Sequence, residues 1–367
     1  MFRRPRVTAL FVKDARLTIS RRLESGAFDG PVARLASRAW ARFAGDRLAR
    51  PLTWPPDRLL VCVGGATLGG SGKTPLALAC VEHLAAQGVR VALVGHAYRA
   101  RPGAARVVEP DDDVGAVGDE ALACARELWE AGEAAVVVVA PTRQRAVDLA
   151  ASVADVVVVD GALQTRPRRA DLALLAVDRI AGWGAAECPP AGDLRAPIAA
   201  LVSAADAVVA VGPEDVPWDR TAGVDALEAD QLSAGAHLDG RLLTWTDLRG
   251  LRLGLYTALA RPARLVARLE QRGIVPVAVV ASADHDGPSA AALRDAERAV
   301  RRIDVELWVS TAKCRTHLGA HALGGGLSLG GAPVATLDDR VRLPFALAGR
   351  LDSLRPRRST PPPRPAS

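Results

Sequence analysis

The chain has 367 residues, of which 49% are hydrophobic and 24% charged, and its formal net charge is +6. This is the composition of an ordinary globular protein, and the length suffices for two lobes of one α/β protein. The five cysteines are scattered without the paired spacing of a metal finger, so we expect buried thiols in a reducing compartment. No apolar run approaches the ~18 residues that a membrane-spanning helix needs.

Residues 1–54 are predicted to form a basic, amphipathic N-terminal arm. The first fifty residues contain twelve Arg and Lys but four Asp and Glu, with apolar and aromatic residues between the charges. This pattern favours docking on an anionic membrane surface. Two alternatives stay open, namely a helix pair packed on the protein and a nucleic-acid-binding face, although we expect no nucleic acid as partner. No apolar segment of a signal peptide follows the arginines, so we expect no cleaved signal peptide.

The segment Leu59–Pro75 reads LLVCVGGATLGGSGKTP. An apolar run predicts a buried strand, a glycine-rich turn follows it, and residues 76–87 have the pattern of a helix. This order is typical of a phosphate-binding loop, in which backbone N–H groups surround phosphates, Lys73 supplies a cation and Thr74 ligates Mg²⁺. The strict spacing of such loops fails because Thr67 replaces the first glycine. We predict that the chain binds a nucleoside triphosphate through Thr67, Gly69, Gly70, Ser71, Gly72, Lys73 and Thr74.

Strand and helix patterns alternate after this loop. The predicted strands are Val89–Val94, Ala134–Ala140, Val156–Val159, Leu172–Val177 and 205–211, and the predicted helices are Glu120–Ala131 and Arg143–Ser152. Alternation of this kind predicts an α/β fold, a P-loop NTPase-like parallel sheet with helices on both faces, over a nucleotide-binding domain at 55–212. Ligands then gather at the carboxyl ends of the strands.

The rest of the chain divides into three predicted segments. Residues 213–250 are polar and poorly periodic, and we expect a connection there. A second strand and helix series predicts a smaller C-terminal α/β lobe at 251–350. Residues 351–367 are rich in proline and arginine, which predicts a disordered tail.

Four positions carry candidate chemistry. Asp160 follows four valines, as a metal-binding acid beside a phosphate loop does. Asp119 follows a glycine at a predicted helix start, where an ordinary N-cap is the favoured interpretation. His285 lies between two aspartates, which suits either proton transfer or an exposed polar turn. Lys313 follows a predicted strand and contacts either a phosphate or only the rim of the site.

Taken together, these motifs resemble those of the tetraacyldisaccharide 4'-kinases. The resemblance extends in order over eight short motifs, GGATLGGSGKTP, GHAYRA, VGDEA, VVDGALQT, PPAGDLRAP, TALARPARLVARLEQRG, ADHD and STAKC. It implies transfer of the γ-phosphoryl group of ATP, with Mg²⁺, to the 4'-hydroxyl of an acylated glucosamine disaccharide 1-phosphate, a lipid A precursor. It also implies a peripheral protein on the cytoplasmic face of the inner membrane of a Gram-negative bacterium.

The resemblance assigns roles to individual residues. Lys73 and Thr74 would contact phosphates and Mg²⁺, and Asp160 would bind the metal. Asp119 and His285 would form an acid/base pair acting on the sugar hydroxyl, which makes Asp119 a catalyst rather than a cap. The substrate contacts implied by the motifs are Arg143, Gln164 and Lys313.

Some positions depart from the family pattern. Gly161 and Thr165 replace the second aspartate and the histidine of the D-D-G-x-Q-H motif, and Glu120 or Asp171 are the acids that could compensate. Two other functions therefore stay open. One is a catalytically degenerate paralogue that still binds nucleotide, and the other is a membrane-associated P-loop ATPase switch.

Overall fold

The computed structural model describes residues 8–10, 22–23, 25–28, 30–97, 100–219, 223–259, 262–282, 287–319 and 326–354. The strands in chain order are β1 (Thr8–Leu10), β2 (Ala49–Pro51), β3 (Leu59–Gly65), β4 (Val91–Val94), β5 (Arg106–Val107), β6 (Ala135–Val139), β7 (Val156–Asp160), β8 (Gln164–Arg166), β9 (Leu172–Asp178), β10 (Ala207–Pro213), β11 (Leu227–Leu238), β12 (Arg241–Thr244), β13 (Leu253–Thr257), β14 (Ala278–Ala281), β15 (Leu307–Ser310), β16 (Ser328–Leu329) and β17 (Ala332–Arg342). The helices are Pro31–Asp46, Lys73–Ala86, Val114–Val117, Asp119–Glu130, Arg143–Val153, Ile198–Ala204, Trp245–Arg249, Pro262–Gln271, Ala290–Ile303, Ala312–Arg315 and Phe345–Ser353, with a 3₁₀ turn at Thr316–Leu318.

Within the described residues, fifteen strands form one sheet in the order β1-β14-β13-β15-β17-β11-β10-β9-β3-β7-β4-β6-β5, with β12 beside β11 and β16 beside β17. The strands from β10 to β6 in this order are all parallel. Parallel strands need crossover connections, and helices provide them here. The predicted α/β P-loop NTPase-like sheet is therefore confirmed.

Alternate residues of the central strands pack on opposite faces of the sheet. Val61 and Val63 of β3 lie in one apolar core with the helices Lys73–Ala86 and Asp119–Glu130. Cys62, between them, lies in a second core with the helix Arg143–Val153. This two-sided burial explains why these strands are continuous apolar runs in the sequence. All five cysteines are buried and free, which confirms the expected buried thiols.

The predicted connection 213–250 differs from the structure, because it contains regular elements. β11 pairs in parallel with β10 and antiparallel with β17, and β12 and the helix Trp245–Arg249 follow it. The sequence did not predict β11 because its burial lacks a clean alternation and its register shifts between Ser233 and Ala236. One of its partners, β17, is distant in sequence, whereas β10 and β12 are its neighbours in the chain. The domain boundaries themselves stay a prediction.

The predicted disordered tail at 351–367 needs a correction at its start. The helix Phe345–Ser353 continues through the first three of these residues, and Leu351 is fully buried beside the helix Lys73–Ala86. Asp352 Oδ1 lies 2.8 Å from His83 Nε2 of that helix. Apolar burial and this contact fix a segment whose composition alone indicates disorder. Residues from 355 onward lie outside the described part.

The N-terminal arm contributes one long helix and two short strands to the described structure, and the first of these strands, β1, pairs with β14. The helix Pro31–Asp46 buries the side chains of Ser37 and Ala44. The Ser37 hydroxyl donates to the Cys188 carbonyl oxygen at 2.7 Å. β2 pairs with β8 in a separate small sheet. None of the helices in the described residues is long and apolar enough to cross a membrane.

The second lobe has a close contact between a glycine and a tryptophan. Gly254 of β13 is the register partner of Trp308 of β15, and Trp308 is fully buried. A Cβ at Gly254 would lie 2.4 Å from the indole ring. The glycine is therefore required by space, and not by its backbone conformation.

Gly254→Ala is expected to lower the free energy of unfolding by about 1–3 kcal/mol, because the added methyl group overlaps a packed ring. Urea unfolding measures the effect. Gly349→Ala is the matched control, since Gly349 lies in a helix with nothing within 4 Å of an added Cβ. The control should be neutral or more stable by up to ~1 kcal/mol. Equal stability of Gly254→Ala and wild type would contradict this account of the packing.

Candidate active site

The phosphate loop connects the carboxyl end of β3 to the helix Lys73–Ala86. Gly72 caps this helix with a φ of +78°, a left-handed conformation that favours glycine. A Cβ there would also lie 2.8 Å from the Cβ of Val211. The N-terminus of a helix presents N–H groups and the positive end of the helix dipole, which attract anions. The loop is thus built to approach a phosphate closely.

Most of the predicted loop residues line one cavity of about 1570 Å³, namely Gly69, Gly70, Ser71, Gly72, Lys73 and Thr74. Thr67 differs, since it is only 3% exposed and its hydroxyl donates to the Gly69 carbonyl at 2.8 Å. Arg195 supports the same turn by donating to the carbonyls of Thr67 at 2.8 Å and Leu68 at 3.2 Å. Thr67 and Arg195 therefore hold the loop in shape through its carbonyl groups.

Lys73, Thr74 and Asp160 form a compact cluster at the end of β3 and β7, which are adjacent strands. The Thr74 hydroxyl donates to Asp160 Oδ2 at 2.7 Å. Lys73 Nζ lies 3.5 Å from the same oxygen and 3.4 Å from Glu120 Oε2. Asp160 Oδ1 is buried and has no hydrogen-bond partner among the described residues. This oxygen is placed to accept a ligand.

Burial and charge act in opposite directions on the cations of the site. Burial lowers the pKa of Lys73, but the carboxylates of Asp160 and Glu120 outweigh it, so the pKa lies above its ordinary value. Burial lowers the pKa of Arg143, and burial together with Arg143 and Lys73 lowers that of His96. Lys73 is therefore charged at neutral pH, whereas His96 is neutral.

Asp119 is the first residue of the helix Asp119–Glu130. Gly118 is the N-cap, with a φ of +90°, and a Cβ there would lie 3.2 Å from the Cα of Ala97. Asp119 is 2% exposed, and its Oδ1 accepts the N–H of Glu120 at 2.8 Å. Because Gly118 caps the helix, the N-cap interpretation of Asp119 is wrong. The helix N-terminus stabilises its negative charge.

Two residues of the second lobe reach Asp119. Lys313 Nζ lies 3.7 Å from Asp119 Oδ2 and 3.5 Å from Glu120 Oε1. His317 Nε2 lies 3.1 Å from the same Oδ2, and the His317 side chain is 6% exposed. The sequence pattern predicted Lys313 as a site residue but gave no such prediction for His317. A spacing of four residues puts two side chains on one side of a helical turn, and this was the available signal.

His285 lies outside the described residues, together with Asp284 and Asp286. The pairing of His285 with Asp119 therefore stays a prediction. Gly287, the next described residue, lies against the turn that carries His317, since a Cβ at Gly287 would be 3.5 Å from the His317 carbonyl oxygen.

The other two predicted substrate residues differ in their placement. Arg143 lines the cavity, and its guanidinium donates to the Asp160 carbonyl. Gln164 is 4% exposed, and its side-chain oxygen accepts the N–H of Ala170 at 2.8 Å. Gln164 therefore holds the β8 turn together and does not line the cavity.

Gly161 follows Asp160, at the position where the motif resemblance predicts a second carboxylate. Its φ is +79°, and a Cβ there would lie 3.4 Å from Arg143 Nη2. Asp171 cannot compensate, because its Oδ2 accepts the Leu60 N–H at the opposite end of β3. Glu120, which lies close to Lys73, is in the right place to compensate.

A parallel sheet with a phosphate loop, and with an acid on the adjacent strand, is the architecture of a P-loop kinase, and this chain has that fold. Residues 37–324 match the family described as Tetraacyldisaccharide-1-P 4'-kinase. The chain belongs to this kinase family, as its motifs predicted.

Individual relatives agree with this assignment. The tetraacyldisaccharide 4'-kinase of Methylorubrum extorquens (strain PA1) is 37% identical over 262 residues, covering 70% of this chain and 76% of that protein. The one of Xanthobacter autotrophicus is 34% identical over 300 residues, covering 80% and 82%. LpxK from Aquifex aeolicus, solved in complex with ATP, superposes with a TM-score of 0.64 at 19% identity, covering 86% of this chain and 96% of that one. The last similarity supports the fold alone.

Glu127 lines the same cavity, on the helix that begins with Asp119. Burial raises its pKa to about 8, and the nearby carboxylates of Glu82 and Asp339 add to the effect. The folded protein therefore holds a proton there that the unfolded chain releases near pH 4.5. This favours the folded state at low pH, and the contribution is lost as the pH rises through about 8.

The free energy of unfolding of wild type is expected to fall between pH 5 and pH 9. In Glu127→Gln this fall should be smaller, because glutamine stays neutral throughout. Urea unfolding at several pH values measures the slope for wild type and variant. Glu109→Gln is the control, since Glu109 is exposed. An unchanged pH slope for Glu127→Gln would show that Glu127 is already ionised in the folded protein.

Proposed function

We propose that this chain transfers the γ-phosphoryl group of ATP to the 4'-hydroxyl of a tetraacyl glucosamine disaccharide 1-phosphate, a lipid A precursor. The observation that carries the proposal is the convergence of Lys73, Thr74, Asp160 and Asp119 at one end of the sheet, in a chain of this kinase family. Phosphoryl transfer needs positioning and charge stabilisation more than covalent chemistry. The cluster offers both.

The triphosphate would bind across the phosphate loop. Backbone N–H groups at Gly70 to Gly72 and at the helix N-terminus surround its oxygens, and Lys73 neutralises their charge. Arg143 and Arg195 also line the cavity. Three cations on one side of the cavity stabilise the negative charge that a transferring phosphoryl group spreads over its oxygens.

The residues present fit Mg²⁺. Asp160 Oδ1 is a buried oxygen without a hydrogen-bond partner in the described part, and the Thr74 hydroxyl lies on the other oxygen of the same carboxylate. No described group of three or more His, Cys, Asp or Glu side chains is placed to hold a metal. Thr74 and Asp160 would therefore share the ion with phosphate oxygens and water, as Mg²⁺ prefers. When bound, the ion neutralises charge on the phosphates.

Activation of the acceptor hydroxyl is proposed for Asp119, with His285 as its partner. Asp119 is buried beneath Lys313 and Glu120, which line the cavity. Entry of a phosphate gives the Lys313 ammonium another anion to bind, which frees Asp119 to accept the hydroxyl proton. The experiment below separates this chemistry from nucleotide binding.

A nucleotide-binding paralogue without kinase activity is the second candidate. Gly161 favours it, because this position lacks the second carboxylate of the family motif and its φ of +79° disfavours any replacement. Such a protein would bind ATP at the same loop but transfer no phosphoryl group.

The membrane surface is proposed as the place where the acceptor is met, on the cytoplasmic face of the inner membrane. The arm helix leaves Val32, Leu35 and Phe43 exposed by 82%, 69% and 70%. At 100° per residue these side chains fall within an arc of about 80°. Arg34, Arg38 and Arg42 are exposed in a neighbouring row. A stripe of apolar residues flanked by arginines suits the interface of an anionic bilayer.

Transfer of labelled γ-phosphate from ATP to detergent-dispersed tetraacyl disaccharide 1-phosphate tests the proposed reaction. Wild type should form a bisphosphorylated product, and Asp119→Asn should lose at least about 100-fold in kcat while keeping its affinity for ATP. Asp171→Asn is the control, because its carboxylate lies at the far end of the sheet. ATP binding by wild type without any product would instead support the inactive paralogue.

Flotation with vesicles of phosphatidylglycerol and phosphatidylethanolamine tests the arm. Leu35→Ser with Phe43→Ser should weaken binding at least about tenfold, because each side chain contributes ~1.5–3 kcal/mol when buried in lipid. Phe345→Ser is the matched control, since Phe345 is 93% exposed on another surface. Equal losses in both variants would mean that the arm is not the docking surface.

A further inference from the structure

The contact between His317 and Asp119 joins the two lobes at the acid of the proposed reaction. His317 lies in the 3₁₀ turn Thr316–Leu318, and its Nε2 is 3.1 Å from Asp119 Oδ2. The side chains are 6% and 2% exposed. At this degree of burial water cannot replace either partner, so the contact fixes the orientation of both side chains.

The charged groups around Asp119 form two layers. Lys313 and Glu120 line the cavity, whereas His317 does not and approaches the carboxylate from the protein interior. The other carboxylate oxygen, Oδ1, accepts the N–H of Glu120 at 2.8 Å. Lys313 Nζ lies farther from Oδ2, at 3.7 Å. His317 and the backbone N–H of Glu120 are therefore the two closest described contacts of the carboxylate.

We propose that His317 is a positioning residue, which holds the Asp119 carboxylate in the orientation needed to accept the acceptor's hydroxyl proton. The proposal rests on the proposed function and adds a residue to it that none of the recognised motifs contains. A ring N–H donated to Asp119 Oδ2 would fix the carboxylate plane and leave other lone pairs available to accept a proton. When Lys313 turns to a phosphate, His317 keeps Asp119 in place.

A positioning role affects turnover more than binding. The nucleotide would contact the loop residues and Lys73, none of which bonds to His317 in the described structure. His317→Ala should therefore lower kcat about 100-fold, the effect of misplacing a catalytic group by roughly 1 Å, with the KM for ATP unchanged. His317→Gln keeps an N–H donor and should recover at least tenfold of this loss.

The matched control is a second histidine–aspartate pair of the same chain. His83 Nε2 lies 2.8 Å from Asp352 Oδ1, remote from the phosphate loop and partly exposed. His83→Ala should leave kcat and both KM values unchanged. Thermal unfolding of all the variants identifies any that fails to fold, and the His317→Gln rescue is then read from folded protein only.

The outcomes separate the two levels of the proposal. An inactive wild type overturns the proposed function and the positioning role with it. An active wild type with a fully active His317→Ala variant overturns the positioning role alone. Equal losses in the alanine and glutamine variants, with raised KM for both substrates, also overturn it, because they would show a structural role. A kcat loss restored by glutamine at constant KM supports it.

Discussion

The site depends on the balance of charge around Lys73. Its ammonium lies within 3.5 Å of Asp160 Oδ2 and 3.4 Å of Glu120 Oε2, and Lys313 has a similar place between Glu120 and Asp119. Three acids this close together are stable in a partly buried site only because two lysines lie between them. A triphosphate that binds both lysines removes this compensation. The carboxylates would then need another cation, which supports the proposal that Mg²⁺ accompanies the nucleotide.

The two lobes are held in register by the sheet itself. β11 bonds to β10 of the first lobe and to β17 of the second, and Asp230 of β11 accepts from Arg179 at 3.0 Å and from Arg342 at 2.7 Å. Burial raises the pKa of Asp230, but the two arginines outweigh it and lower the pKa. A flexible linker could not keep Lys313 and His317 within 3.7 Å and 3.1 Å of Asp119, whereas a continuous sheet can.

The sequence predicted the parts of the structure that depend on local pattern. The phosphate loop, Asp160 at the end of its strand and the alternation of strands and helices follow from residues close together in the chain. β11 and His317 could not be predicted in the same way. β11 is stabilised in part by pairing with β17, which is remote in sequence, and the partner of His317 is 198 residues away. Thr67 was predicted as a nucleotide-binding residue and Gln164 as a substrate contact, and only the structure shows that their side chains bond to backbone groups.

The loss of the second carboxylate changes how the site can hold a metal. Arg143 and His96 surround Gly161, since a Cβ there would lie 3.4 Å from Arg143 Nη2 and 3.6 Å from His96 Cδ2. The chain thus has cationic or neutral groups where the family motif has an acid. A metal held by Asp160 and Thr74 has fewer protein ligands, so its affinity depends more on the phosphate oxygens. In the proposed reaction the metal and the nucleotide would therefore bind as a unit, and Arg143, which lines the cavity, would add to the stabilisation of charge.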